Sequence, residues 1–214
     1  MTNVAVPLWL DLLTVGIGAL QGALFAIFYK RFDLVGVFAV AILTGLGGGI
    51  LRDLLLAVGR PAAMQDKYIL TAVAAVVTAL IIGRWFKRAV NAVVFLDSAA
   101  MALFAIAGTY KATINLTSDL VAILLGVITA VGGGVLRDVV CRITPQIFTG
   151  GPLYATASAI GATLFIVLNN TSLNLNISFA ISAIVIVAIQ MASVRFRIHL
   201  KPALSSLDFE DPSK

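Results

Sequence analysis

Residues 44–53 read Thr-Gly-Leu-Gly-Gly-Gly-Ile-Leu-Arg-Asp, and residues 129–138 read Thr-Ala-Val-Gly-Gly-Gly-Val-Leu-Arg-Asp. Each stretch lies within a long apolar run, where charged residues are rare and expensive. Thr44, Gly47, Gly48, Gly49, Leu51, Arg52 and Asp53 match Thr129, Gly132, Gly133, Gly134, Leu136, Arg137 and Asp138 at a constant offset of 85. Upstream, Asp11, Gly22 and Asp33 match Asp97, Gly108 and Asp119 at an offset of 86. Pro61 and Pro145 follow the two motifs more loosely. The chain is an internal duplication with one residue of slippage between Asp33 and Thr44.

The composition places this duplication in a membrane. Of 214 residues, 60% are hydrophobic and 12% charged, and the mean hydropathy is +1.05. A soluble surface uses about 25% charged residues, whereas a membrane span uses about 20 apolar residues to cross about 30 Å of hydrocarbon. Seven spans fit, near 7–29, 34–57, 68–86, 92–109, 119–141, 151–169 and 177–194. They form one transmembrane domain over 7–194, followed by a polar tail over 195–214. Repeat 1 covers about 7–88 and repeat 2 about 92–170. The seventh span stands outside both. The expected fold is all-α.

Each repeat holds three spans, and an odd number turns the second copy upside down, as in many transport proteins. One side receives Lys30, Arg31, Arg84, Lys87, Arg88, Arg142, Arg195, Arg197 and Lys201; the other receives Arg60, Lys67 and Lys111. The excess marks the cytoplasmic side. A multi-pass protein follows, with the N-terminus outside and the C-terminus in the cytoplasm. The basic residues serve topology, so no nucleic acid is expected. The single Cys141 excludes an intrachain disulfide and a cysteine-based metal site. No nucleophile–base set, phosphate loop or metal cluster is present, so neither an enzyme nor a cofactor is expected.

Three glycines in a row disfavour helix by about 1 kcal/mol each, which predicts that spans 2 and 5 kink or unwind there. Non-helical backbone at that depth needs protein or water around it, and freed carbonyls suit a cation. The alternative is that the glycines only let helices approach closely. Arg52 and Arg137 lie one turn beyond the glycines, near opposite faces. They either gate a path or reach the interfaces and pair with acids such as Asp53 and Asp138. Asp11 and Asp97 attract cations at the two mouths, fix the arginines, or complement a helix dipole. Asp33 and Asp119 read as helix caps. Thr44 and Thr129 satisfy carbonyls or line a wet path. His199 reads as an interfacial residue.

The doubled pattern, with Asp11, Gly22 and Asp33 leading to Gly47-Gly48-Gly49-Ile50-Leu51-Arg52-Asp53 and its copy at 132–138, resembles the prokaryotic trimeric intracellular cation channels over about residues 7–194. The resemblance implies a seven-helix protomer with an external N-terminus in a prokaryotic cell membrane. It implies a homotrimer surrounded by lipid, with no other protein partner. Each protomer would hold one pore for potassium or sodium, lined by kinked helices 2 and 5. Animal relatives carry Lys-Glu-Val in the second helix and bind a phosphoinositide. Ile50-Leu51-Arg52-Asp53 departs from that, so lipid regulation does not carry over. The same repeat is associated in bacteria with glycine transport. A potassium channel, a carrier for glycine or a similar zwitterion, and a structural protein with packing glycines are the three readings.

Overall fold

The computed structural model describes residues 6–83, 90–148 and 153–198. Arg84, Lys87, Arg88, His199, Lys201 and the acidic tail lie outside the described residues. Seven helices make up the fold, with no strand among the described residues. They are α1 (Leu8–Phe25, prolonged by a π turn over Ala26–Lys30), α2 (Leu34–Leu55), α3 (Asp66–Gly83), α4 (Val90–Ile114), α5 (Asp119–Val140), α6 (Tyr154–Asn169) and α7 (Leu175–Phe196).

Six of these helices are long and apolar enough to cross a membrane. The sixth is shorter than the expected span 151–169, having 16 residues, roughly 24 Å of helix. The packing is inside-out relative to a soluble bundle. Val35, Leu54, Leu120 and Leu124 project outward, while Ala19, Ala23, Ala41 and Ala122 are completely buried. Small residues inside let helix backbones approach where lipid supplies no hydrophobic drive between helices.

The repeats are antiparallel at their crossing. A Cβ on Gly48 would strike the carbonyl oxygen of Thr129, and one on Gly133 would strike the carbonyl oxygen of Thr44. A Cβ on Gly47 would fall 2.6 Å from Cδ1 of Leu136, and one on Gly132 would fall 2.8 Å from Cδ1 of Leu51. Every contact is reciprocal, and the copies run in opposite directions: Lys111 near the end of α4 reaches the Arg52–Asp53 pair beside Asp11 at the start of α1, and Phe25 at the end of α1 reaches Arg137 beside Asp97 of α4. This is the inverted repeat: α1–α3 form one copy, α4–α6 the other, and α7 packs on α4 and α6.

Two sequence expectations are corrected here, unwinding at the glycines and a matched pair of aspartate caps. The glycine segments do not unwind, because α2 is helical throughout 34–55 and α5 throughout 119–140. The glycine cost is met by close packing: two helices touch backbone to backbone at Gly48 and Gly133, where any side chain would collide. No carbonyls are freed there. The caps also differ. The Asp33 carboxylate accepts from the Gly36 N–H at 2.8 Å, as expected. In the second copy Ser118 caps instead, accepting from the Val121 N–H at 3.4 Å, and Asp119 is the first helical residue.

The cap shift explains the slippage. Asp33 and Ser118 differ by 85, so the register has already changed by the start of α2 and α5. The first copy has one more residue between its glycine and its cap. That residue is taken up by the π turn Ala26–Lys30, whereas α4 runs on as plain α-helix to Ile114. A π turn is how a helix absorbs a single inserted residue.

Two buried arginine clusters and a polar cavity

The last turns of α2 and α5 each carry an Arg-Asp pair, and both pairs are buried. In the first cluster Arg52 donates from Nε to Asp53 Oδ1 at 2.8 Å and from Nη1 to Asp11 Oδ1 at 3.3 Å. Lys111, arriving from α4, donates to the same Asp53 oxygen at 2.8 Å. The other Asp53 oxygen accepts from the Ala62 N–H at 2.9 Å, and the Tyr68 hydroxyl donates to Asp11 at 3.1 Å. Two carboxylates meet two cations, and the hydrogen bonds a buried charge requires are largely made.

The second cluster repeats the plan. Arg137 donates from Nε to Asp138 Oδ1 at 2.8 Å and from Nη1 to Asp97 Oδ1 at 3.0 Å. The Gln146 N–H donates to the other Asp138 oxygen at 3.4 Å, and the Tyr154 hydroxyl hydrogen-bonds Asp97. Ala62 and Gln146 are the residues directly after Pro61 and Pro145, which gives the loosely matched prolines a common task. The third glycine of each motif lies beside the guanidinium at ordinary contact distance: a Cβ on Gly49 or Gly134 would lie 4.0 Å from Nη2 of Arg52 or Arg137.

Asp11 sits in the first turn of α1, but Asp97 lies well inside α4, so a shared helix-dipole role does not describe both. The structure brings both aspartates onto the arginines instead. Thr44 and Thr129 belong to neither cluster. Their hydroxyls donate back to Val40 at 2.7 Å and Leu125 at 2.6 Å. Each faces a repeat glycine, where a Cβ on Gly22 or Gly108 would fall 2.5 Å from the hydroxyl oxygen.

Sequence reading missed several members. Tyr68 and Tyr154 share the offset of 86 with Asp11 and Asp97, so the duplication carried that information. Lys111 entered only as a topology charge. Its counterpart at offset 86 is Phe25, whose ring lies under the Arg137 guanidinium with 4.5 Å from Cζ to the centroid. Each repeat thus sends one side chain from its first helix to the other repeat's cluster, an ammonium in one direction and a phenyl ring in the other.

The free space differs as well. Beside Arg52 there are about 20 Å³, bounded by Asp11, Thr14, Gly49 and Tyr68, room for about one water. Beside Arg137 a cavity of about 270 Å³ opens among Gln21, Phe25, Asp97 and Gln190. Gln190 comes from α7, outside the repeat. Among the described residues no group of metal-ligating side chains is present.

A family model described as Glycine transporter matches residues 8–84 and again 94–170, which are the two copies found above. The chain is 31% identical over 203 residues to the UPF0126 inner membrane protein YadS of Escherichia coli strain K12, covering 94% of this chain and 96% of that one. It is 36% identical over 156 residues to a UPF0126 membrane protein of Deinococcus radiodurans, covering 72% of each. Among solved structures, a TRIC trimeric intracellular cation channel orthologue from Rhodobacter sphaeroides matches with a TM-score of 0.81 at 26% identity, over 89% of this chain and 97% of that one. A TRIC cation channel studied for its conductance matches with a TM-score of 0.79 at 27% identity, over 91% and 95%. The chain belongs to the UPF0126 membrane proteins described as Glycine transporter, and its fold is that of the TRIC channels.

Proposed function

We propose that this protein is a potassium-permeable cation channel of a prokaryotic membrane, a homotrimer with one pore in each protomer. The observation that carries the reading is the pair of arginine clusters at the two ends of one antiparallel glycine crossing. Counting along the helices, Arg52 and Arg137 stand roughly 13 Å apart across that crossing. A buried guanidinium is a barrier to cations, so two of them in series, one toward each face, make a gate at each end. The cation channels among the structural relatives, one of them described as trimeric, support both permeation and assembly.

In the arrangement seen here the carboxylates hold both arginines, and the space beside Arg52 admits about one water. Opening requires each guanidinium to leave the path, and a bend of α2 and α5 at their glycines is the motion that parts the clusters. The Lys/Arg distribution supports an external N-terminus, which puts Arg52 toward the outside and Arg137 toward the cytoplasm. The bilayer itself is the other partner, and no cofactor enters the reading.

Purified protein in a planar bilayer tests it. The expected result is discrete conductance steps that reverse near the potassium equilibrium potential, with a raised open probability in Arg137→Ala. Saturable glycine counterflow without conductance steps would replace the channel with a carrier. Unchanged gating in Arg137→Ala, with stability alone reduced, would remove the gate.

A further inference from the structure

The two clusters share geometry but not charge. At one end Asp11 and Asp53 face Arg52 and Lys111, so the formal charges cancel. At the other, Asp97 and Asp138 face Arg137 alone, which leaves a formal −1 among the described residues. Lys111 and Phe25 hold equivalent places in the two repeats, so one exchanged side chain makes the difference. A motion that parts the carboxylates from the arginines rearranges these charges without removing any. The imbalance of one therefore outlasts opening.

The open space is unequal in the same sense. Asp97 and Arg137 line the cavity of about 270 Å³, and the Asp97 side chain is 14% exposed. Asp11 and Arg52 line a space of about 20 Å³. Mobile cations drawn by a net negative cluster thus have room at the Arg137 end, and the Arg52 end offers neither net charge nor room. A cavity of this volume is about 8 Å wide. In water, one unit charge about 8 Å away raises the local concentration of a monovalent cation about two-fold when the Debye length is about 30 Å, and hardly at all when it is about 3 Å.

We propose that the pathway rectifies: with equal potassium on both sides, cations pass more readily from the Arg137 end to the Arg52 end than in reverse, and the exchange of Lys111 for Phe25 sets that bias. Current in the favoured direction is fed from an entrance enriched in cations. Current in the other direction is fed from an entrance at bulk concentration. Lys111 and Phe25 act through the charge of the cluster each one touches, and neither has to bind the passing ion. With the N-terminus outside, the favoured direction is outward. This rests on the channel reading and adds a direction to it.

The test records single molecules of the full chain in planar bilayers, with symmetric potassium chloride at about 0.01 M and again at about 1 M. Unitary currents are compared at equal voltages of opposite sign. Either insertion direction serves, because the two currents of one molecule are set against each other. The wild type should show about a two-fold ratio in dilute salt and a ratio near one in concentrated salt. Phe25→Lys neutralises the Arg137 cluster and should lower the larger dilute-salt current to the smaller. Lys111→Met leaves the Arg52 cluster at a formal −1 and should raise the smaller current toward the larger. Exposed rim residues such as Arg60 and Arg142 are the same in every variant, so the comparison isolates the clusters. A substitution that only loosened the fold would change open probability and leave the unitary ratio alone. Equal dilute-salt currents in the wild type overturn the proposal. So does a ratio that persists in concentrated salt, which would come from shape and not from charge. Unchanged ratios in both variants overturn the assignment to Lys111 and Phe25. Should one variant not fold, the other and the salt comparison decide. Linear conductance sinks this inference alone, and no conductance of any kind sinks the channel reading with it.

Discussion

The Arg52 and Arg137 clusters are built from the same parts and end in different states. One is sealed by a lysine from the opposite repeat and has room for about one water. The other has a phenyl ring at that position and opens on a cavity more than ten times larger. The difference teaches how a symmetric framework becomes polarised. Backbone contacts at Gly48 and Gly133 keep the halves alike, while one exchanged side chain, Lys111 for Phe25, gives each end its own charge. In the proposed channel, that makes the two entrances electrically distinct without altering the helix packing between them.

The largest expected effect breaks this comparison at its arginines. Arg137→Leu strands Asp97 and Asp138 together, and losing the partner of a buried charge costs about 3–5 kcal/mol. Arg52→Leu should cost less, because Lys111 still holds Asp53. Thermal unfolding of both variants in one detergent measures the gap, and equal losses would mean that Lys111 seals nothing. Next come Gly48→Ala and Gly133→Ala. Each drives a methyl into the partner helix's carbonyl, with an expected loss of about 1–3 kcal/mol. The two losses should agree within error, and a large inequality would break the two-fold relation at the crossing.

Lys111→Met should cost about 1.5–3 kcal/mol, the worth of a hydrogen bond to a charged group. Phe25→Leu should cost about 0.5–2 kcal/mol through the lost cation–ring contact. A reversed order of these two, read from urea unfolding, would reverse the polarity argued above. The smallest effect concerns register. Asp33→Ala and Ser118→Ala should each cost about 1 kcal/mol as lost caps, while Asp119→Ala should leave melting almost unchanged.

Much of the architecture was legible because membrane segments are written in few letters. Apolar run length places the helices, and Arg-Asp within such runs marks the duplication. What stayed hidden falls into three physical kinds. Helix continuity through three glycines depends on a partner backbone arriving at Gly48 and Gly133, which no local propensity contains. Lys111 and Phe25 occupy one repeat position with different chemistry, so a search for identity passes over them. Gln190 belongs to the unrepeated helix and gains meaning only beside Gln21, far away in sequence. Tyr68 and Tyr154 are another matter: they kept the offset of Asp11 and Asp97 and were readable.

The π turn at Ala26–Lys30 has a mechanical consequence. An extra residue in a plain α-helix rotates everything beyond it by about 100° and advances it by about 1.5 Å. Such a shift ahead of α2 would have swung Arg52 away from Asp11. Confined to the last turn of α1, it never reaches the arginine. That turn works as an expansion joint, letting one half of the molecule differ in length from the other while both keep their aim. Removing a single residue from 26–30 should therefore be tolerated, with the joint closing into ordinary helix, whereas the same deletion within 44–52 should abolish folding.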